Sequence, residues 1–437
     1  MTSSVSPISF KDLTKTTLPM VVGVLALMSF QLVDSYFIAK LGVEPLAVIG
    51  FTIPIYQAII GIQVGIGIAT TALISQRLGA KNVDDASRLG ATIIAFGTLT
   101  IALVCCLIWA MRSIILKAMG ATPELELLAD QLWPIFLLSS TLGALLYFGY
   151  SISRAHGNTI IPGVGMVATS ILNGLFDPLF IFTFDLGLVG AAYASLAAFS
   201  MGLLFVVPVV IKANWVQLVG LGWEQATTYL RQIGTIAAPA MVSQILPAVS
   251  AMIATMVVAS HGTVAVAAWG VAVRLEYFAI ILILALTMSV PPLVGRYFGA
   301  NDIANVKLTS NLAMRCVLGG QILLAALLAL GATMVSETLS KDMDVSAILK
   351  TFLIIVPLSY APLGICMLAI SISNAINQQG RALSISFSRL FVCYLPCLAL
   401  GSYIGEMNGL MLGIFVGNCA AGLIAYRSYL AAIKKHQ

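Results

Sequence analysis

Twelve apolar stretches, each long enough to cross about 30 Å of hydrocarbon as a helix, follow one another along this chain from end to end, and that succession leaves few folds open. The spans read as 16–39, 46–75, 89–111, 123–152, 159–184, 187–211, 232–259, 264–294, 309–337, 346–375, 384–404 and 408–427. Of the residues, 60% are hydrophobic and only 9% charged, where a soluble domain carries roughly a quarter charged. Continuous runs such as IILILALTMSVPPLV do not show the alternation of a membrane barrel. The expected fold is an all-α polytopic membrane protein with twelve transmembrane helices and no span left for a soluble domain.

Basic residues set the expected orientation. With both ends in the cytoplasm, fourteen Lys and Arg fall inside (Lys11, Lys15, Arg77, Lys81, Arg88, Arg154, Lys212, Arg231, Arg296, Lys307, Arg381, Arg427, Lys434 and Lys435). Five fall outside: Lys40, Arg112, Lys117, Lys341 and Lys350. This inner-leaflet bias accounts for the net charge of +5 without a nucleic-acid partner. The first run follows a polar stretch and is too long for a signal-peptide core, so it is expected to stay as a helix. The seven cysteines show neither metal-ligand nor secreted-framework spacing and suit buried filling. No GxxxxGK[ST] loop is present, which excludes ATP as the energy source. No nucleophile–base spacing accompanies His156, His261 or His436, so no enzyme and no cofactor is expected.

The chain is also written twice. At an offset of 220, Pro19 meets Pro239, Gly42 meets Gly262, Ala47 meets Ala267, Gly50 meets Gly270, and Gly79-Ala80 meets Gly299-Ala300. SIS at 151–153 recurs at 371–373, and Ala155 matches Ala375. A register held that long marks an internal repeat. Six helices per copy give both copies the same direction through the membrane, hence two pseudo-symmetric six-helix lobes of the kind that rock about a central site. The expected division is an N-terminal lobe 1–211, a cytoplasmic linker 212–231 and a C-terminal lobe 232–437. Trp215, Trp223 and Tyr229 place the linker at the headgroup level.

Asp34 interrupts the first apolar run with no Lys or Arg within five residues. Ionisable residues inside membrane spans are costly and mark functional sites. Asp177 in the fifth span lies at a matching depth, both within roughly 11 Å of the outer surface at about 1.5 Å per residue. Asn173 lies one turn deeper on the face of Asp177, and Ser195 on the sixth span reaches the same level. Desolvation penalises an ionised carboxylate, and two sharing a site penalise the doubly ionised state, so a proton can bind and leave there. Asn173 and Ser195 can serve either protonation state, because amide and hydroxyl both donate and accept. The 220 offset sets Asp34 against Ala254 and Asp177 against Cys397, so the N-terminal lobe does this work alone. Arg274 and Glu276 lie near mid-bilayer in the eighth span. At a spacing of two they point apart, so each needs a partner elsewhere, as a buried charge pair or a substrate contact.

RLGAKNVDDA after the second span and RYFGANDIANV after the eighth resemble the paired loops of the MATE (multidrug and toxic compound extrusion) family. NGLFDPLFIF at 173–182 and GLVGAAYAS at 187–195 resemble that family's fifth helix and the start of its sixth. Pro19 with Asp34 fifteen residues on, and RLEYF at 274–278, resemble the DinF-like branch. The NorM-like branch carries acids in helices 7 and 10, and neither 232–259 nor 346–375 contains one. The resemblance implies a proton-coupled antiporter in the cell (inner) membrane, exporting amphiphilic, often cationic compounds by alternating access. Asp34, Asp177, Asn173 and Ser195 would form the coupling site, and helix 1 would bend at Pro19 when Asp34 is protonated. No metal site is expected. Two alternatives stay open: sodium coupling through the oxygens of Asp34, Asn173 and Asp177, and a flippase for a lipid-linked substrate. Of the arginines, only Arg274, Arg315 and Arg389 lie well inside the spans, few for a phosphate-binding cleft.

Overall fold

The computed structural model describes residues 8–217 and 222–435. His436 and the linker positions 218–221 lie outside the described residues. Among those described, the secondary structure is helical throughout. The helices are α1 (Phe10–Ala39), α2 (Val43–Gly79), α3 (Val83–Ala118), α4 (Pro123–Ala155), α5 (Ile160–Pro178), α6 (Gly187–Lys212), α7 (Trp223–Ala259), α8 (Thr263–Ala279), α9 (Ile281–Gly299), α10 (Ile303–Leu339), α11 (Met343–Ile355), α12 (Tyr360–Ala375), α13 (Gln379–Phe387) and α14 (Leu395–Lys434).

Fourteen helices fold into twelve spans. A single residue, Ile280, separates α8 from α9, and a 3₁₀ turn at Val356–Ser359 joins α11 to α12. A π-helical stretch, Ser388–Tyr394, joins α13 to α14. The α14 segment hides a hairpin, because Gly405 and Glu406 leave helical backbone geometry, Glu406 at φ 50°. On either side of that turn Gly401 faces Gly409, Cys397 faces Gly413, and Cys393 faces Gly417, so close that a Cβ on any of these glycines would press into opposing backbone. Glycine is what lets the last two spans touch main chain to main chain.

Prolines mark two of the irregularities. Pro178 cannot donate, so the helix loses a rung, and π-helical Leu179–Thr183 follows directly. Pro396 does the same after the π-helical Ser388–Tyr394. The break at Ile280 has no such cause; Pro291 and Pro292 lie well inside α9.

The sequence repeat reappears in the backbone. Left-handed residues recur 220 apart: Gly42 (117°) and Gly262 (93°), Lys81 (61°) and Asn301 (55°), Gly157 (82°) and Asn377 (60°). The helix caps recur too. Asn82 accepts from Asp85 N at 3.3 Å, and Asp302 accepts from Asn305 N at 3.0 Å, each filling one orphan donor of a helix start.

Two compact units result, Leu18–Met241 and Met1–Thr17 with Val242–Gln437. In the first, α4 packs against α2, α3 and α6 around a core that includes Trp133, Phe148 and Leu89, all essentially inaccessible. In the second, α12 packs against α9, α10 and α14. Its two apolar clusters centre on Leu286 and Cys366, and on Phe352 and Leu398. The first turns of α1 belong to this second unit: Leu13 joins its core, and Thr17 Oγ1 lies 2.9 Å from Ser289 Oγ.

The helix expected from residue 232 begins at Trp223 instead, and a polar clasp within the first unit explains the extra turns. Arg77 pairs with Asp85, Tyr229 donates to the same carboxylate, and Arg77 Nη2 reaches Gln232 Oε1 at 2.6 Å. Gln225 Nε2 donates to the Tyr229 hydroxyl at 2.7 Å. Tyr229 is therefore buried, at 3% exposure. Trp215 stacks on His156 with ring centres 4.7 Å apart. All seven cysteines are free thiols.

Candidate functional site

Asp34, Asn173, Asp177 and Ser195 come together inside the first unit, carried by α1, α5 and α6. Glycines set these helices in register. Gly163 on α5 lies against Pro19 of α1, and a Cβ there would sit 2.5 Å from the Pro19 carbonyl oxygen. Gly190 near the start of α6 lies on the backbone of the π-helical segment, where a Cβ would meet Phe180 C at 2.7 Å and Ile181 N at 2.8 Å. That seating brings Ser195, five residues further on, level with Asn173.

Asp177 is fully buried and Asn173 is 2% exposed. With the Asn173 amide turned to satisfy both neighbours, its nitrogen donates to the two Asp177 oxygens at 3.1 and 3.2 Å, and its oxygen accepts from Ser195 Oγ at 2.9 Å. Turned the other way, its nitrogen donates to Ser195 Oγ at the same 2.9 Å and its oxygen faces the carboxyl. The first orientation suits an ionised Asp177, the second a protonated one that donates to the amide.

Asp34 stands beside this chain without joining it by a hydrogen bond. Its Oδ1 is buried with no hydrogen-bond partner among the described residues. Its charge is felt at Asp177 and at the Tyr56 hydroxyl. A cavity of about 320 Å³ opens at Asp34, with Gln31, Thr52, Tyr56, Ser195 and Phe199 among its walls. A second chamber of about 230 Å³ shares Phe30, Gln31, Tyr56, Ser140 and Phe199 with it and reaches Asn173. No Lys or Arg lines either chamber. Thr52, with an oxygen that also accepts from Trp133 Nε1 at 3.1 Å, and Tyr56 were not singled out from the sequence. Their only signal was polarity inside an apolar run.

Pro19 lies fifteen residues before Asp34, on the tight α1–α5 contact, and α1 runs through it as one unbroken helix. Arg274 and Glu276 lie in the second unit. Arg274 is exposed and Glu276 half-buried, and the two form no ion pair; the cation that Glu276 feels is Arg389, at the start of a π-helical stretch. Ion pairs among the described residues include Arg77–Asp85 and Arg112–Asp130. His261 Nε2 lies 2.6 Å from Ser402 Oγ, in the second unit. Among the described residues no cluster of three or more His, Cys, Asp or Glu is arranged to hold a metal ion.

Known proteins resemble the whole of this architecture. The MatE family model matches twice, over 19–179 and 239–400, two stretches whose starts are separated by the repeat length. The FAD transporter of Shewanella oneidensis is 29% identical, covering 95% of this chain and 92% of that one. The multidrug export protein MepA of Staphylococcus aureus is 26% identical over 96% and 93%. The Vibrio cholerae MATE transporter VcmN, solved in a bent form, superposes with a TM-score of 0.94 at 46% identity, covering 98% of this chain and 97% of that one. Matched in both halves by the family model, and along nearly its whole length by a solved transporter, this chain belongs to the MATE family of membrane transporters.

Proposed function

We propose that this transporter is a proton-coupled antiporter in the cell (inner) membrane, with both termini cytoplasmic, that exports amphiphilic and often cationic compounds by alternating access. The observation that carries the reading is the buried, unpartnered Asp34 Oδ1 at the mouth of a chamber without basic residues. A carboxylate so placed is held by neither a cation nor a hydrogen bond. Ionised, it attracts a cationic guest; protonated, it releases one.

Asp177 and its neighbours supply the second half of the coupling. When a proton arrives at the pair, Asp177 changes from acceptor to donor. The Asn173 amide turns to follow, and Ser195 changes from donor to acceptor with it. A local charge change is thereby spread over α5 and α6 at no loss of hydrogen bonds. Pro19 leaves α1 one rung short, and bending there would carry Asp34 toward or away from α5.

The FAD transporter relative raises a second reading, export of a flavin dinucleotide. The absence of Lys and Arg from both chamber walls disfavours an anionic pyrophosphate in this unit. Sodium coupling is the other rival, through the oxygens of Asp34, Asn173 and Asp177. The test is efflux of a cationic dye from proteoliposomes driven in turn by a pH gradient and by a sodium gradient at equal pH. Efflux with the pH gradient alone supports the proposal; efflux with sodium alone overturns the proton assignment.

A further inference from the structure

A recess of about 500 Å³ opens in the second unit between α10, α12 and α14, far along the chain from the carboxylates. Arg315 of α10 lines it and is exposed. The helix carries a band of exposed apolar side chains immediately beyond, at Leu318, Ile322, Leu323, Leu327, Leu330 and Met334, the surface that lipid covers. Arg315 thus stands at the edge of the lipid-facing band. Lys307 and Asn311 precede it at intervals of four residues, on the same helical face.

A guanidinium at that boundary can reach the headgroup level, where an anionic group is its natural partner. Arg315 takes part in neither the Arg77–Asp85 nor the Arg112–Asp130 ion pair. The recess also holds Asn311, whose oxygen accepts from the Tyr429 hydroxyl at 3.3 Å, leaving its amide nitrogen to donate. The partly exposed Tyr426 adds a hydroxyl. Three donors line the recess, and Leu318, Ile365 and Leu423 form apolar walls beside them. A phosphate with acyl chains attached fits that division of chemistry, and an arginine fork matches phosphate oxygens better than a point charge would.

We propose that the recess between α10, α12 and α14 seats the headgroup phosphate of an anionic phospholipid, with Arg315 as its counter-ion and Asn311 and Tyr426 as further donors. The site is separate from the transport chambers, so the proposal stands or falls independently of the coupling ion.

The test uses the purified, delipidated full chain in neutral detergent, titrated with dioleoylphosphatidylglycerol, with dioleoylphosphatidylcholine, or with inorganic phosphate, and read by native mass spectrometry. Wild type is expected to hold the anionic lipid roughly tenfold more tightly than the zwitterionic one, as one charge-assisted contact allows. Arg315→Gln should lose that preference, Arg315→Lys should keep only part of it, and Lys212→Gln, a charge removal in the other unit, should keep all of it. Millimolar inorganic phosphate should not displace the lipid. The proposal is overturned if wild type fails to discriminate between the two lipids, if Arg315→Gln still does, or if free phosphate competes fully.

Discussion

The contact between α1 and α5 is tight at one end and slack at the other, and two alanine substitutions test this directly. At Gly163 an added Cβ would lie 2.5 Å from the Pro19 carbonyl oxygen and 2.8 Å from its Cβ, whereas ordinary contact begins at 3.4 Å. The neighbour there is backbone, so the helices themselves would have to separate by about 1 Å, a strain on the order of 1–3 kcal/mol. At Gly174 the same Cβ would meet only Val33 Cγ1, at 3.9 Å. Both glycines sit inside α5, so the helix-propensity gain of about 1 kcal/mol on going to Ala is common to both variants. It cancels in their difference. Gly163→Ala should therefore be less stable than Gly174→Ala by roughly 1–3 kcal/mol, or about 5- to 150-fold in the unfolding equilibrium. The assay is unfolding in mixed dodecyl maltoside and sodium dodecyl sulfate micelles, followed by tryptophan fluorescence. Equal midpoints for the two variants would refute the reasoning. The slack end is the one that carries Asp34, where α1 must be free to move if it bends.

Asn173→Leu should reduce transport at least about tenfold, because it leaves the fully buried Asp177 without its amide and an unsatisfied buried charge costs several times a lost surface bond. Ser195→Ala should cost less, since the Asn173 amide keeps Asp177 as a partner; vesicle efflux rates compare the two, and equal losses would contradict the chain of bonds described. Tyr229→Phe should destabilise the first unit by about 1 kcal/mol through the lost hydrogen bond to Asp85, read as a lower unfolding midpoint with transport retained.

Much of this architecture could be read from the chain. The twelve spans followed from hydropathy, and the 220-residue register paired Gly42 with Gly262, two positions that the structure places at equivalent left-handed turns. Helix ends were less legible. The helices α2, α3, α7 and α10 run past their apolar runs because polar side chains, such as those of Arg77, Asp85 and Tyr229, bond one another beyond the hydrophobic stretch, and hydropathy is blind to that. Irregular helix lies beside Pro178 and Pro396, where a missing backbone donor breaks the ladder. The break at Ile280 lies in a purely apolar stretch, where only packing decides. In the site, the carboxylates stood out by charge and Asn173 by its four-residue spacing from Asp177. The chamber walls at Thr52 and Tyr56, on a different helix, are set by the packing of α2, which no local spacing encodes. The influence of Arg389 on Glu276 is likewise a matter of folding, since 113 positions separate them.

The central claim is that Asp34 gives up or takes a proton in each transport cycle. Proton movement into a pH-indicator-loaded proteoliposome, recorded while a cationic dye is exchanged, measures this for wild type and Asp34→Asn side by side. The account predicts dye-dependent proton flux in wild type and none in Asp34→Asn, with the variant still binding dye weakly. Undiminished proton flux in Asp34→Asn would contradict it.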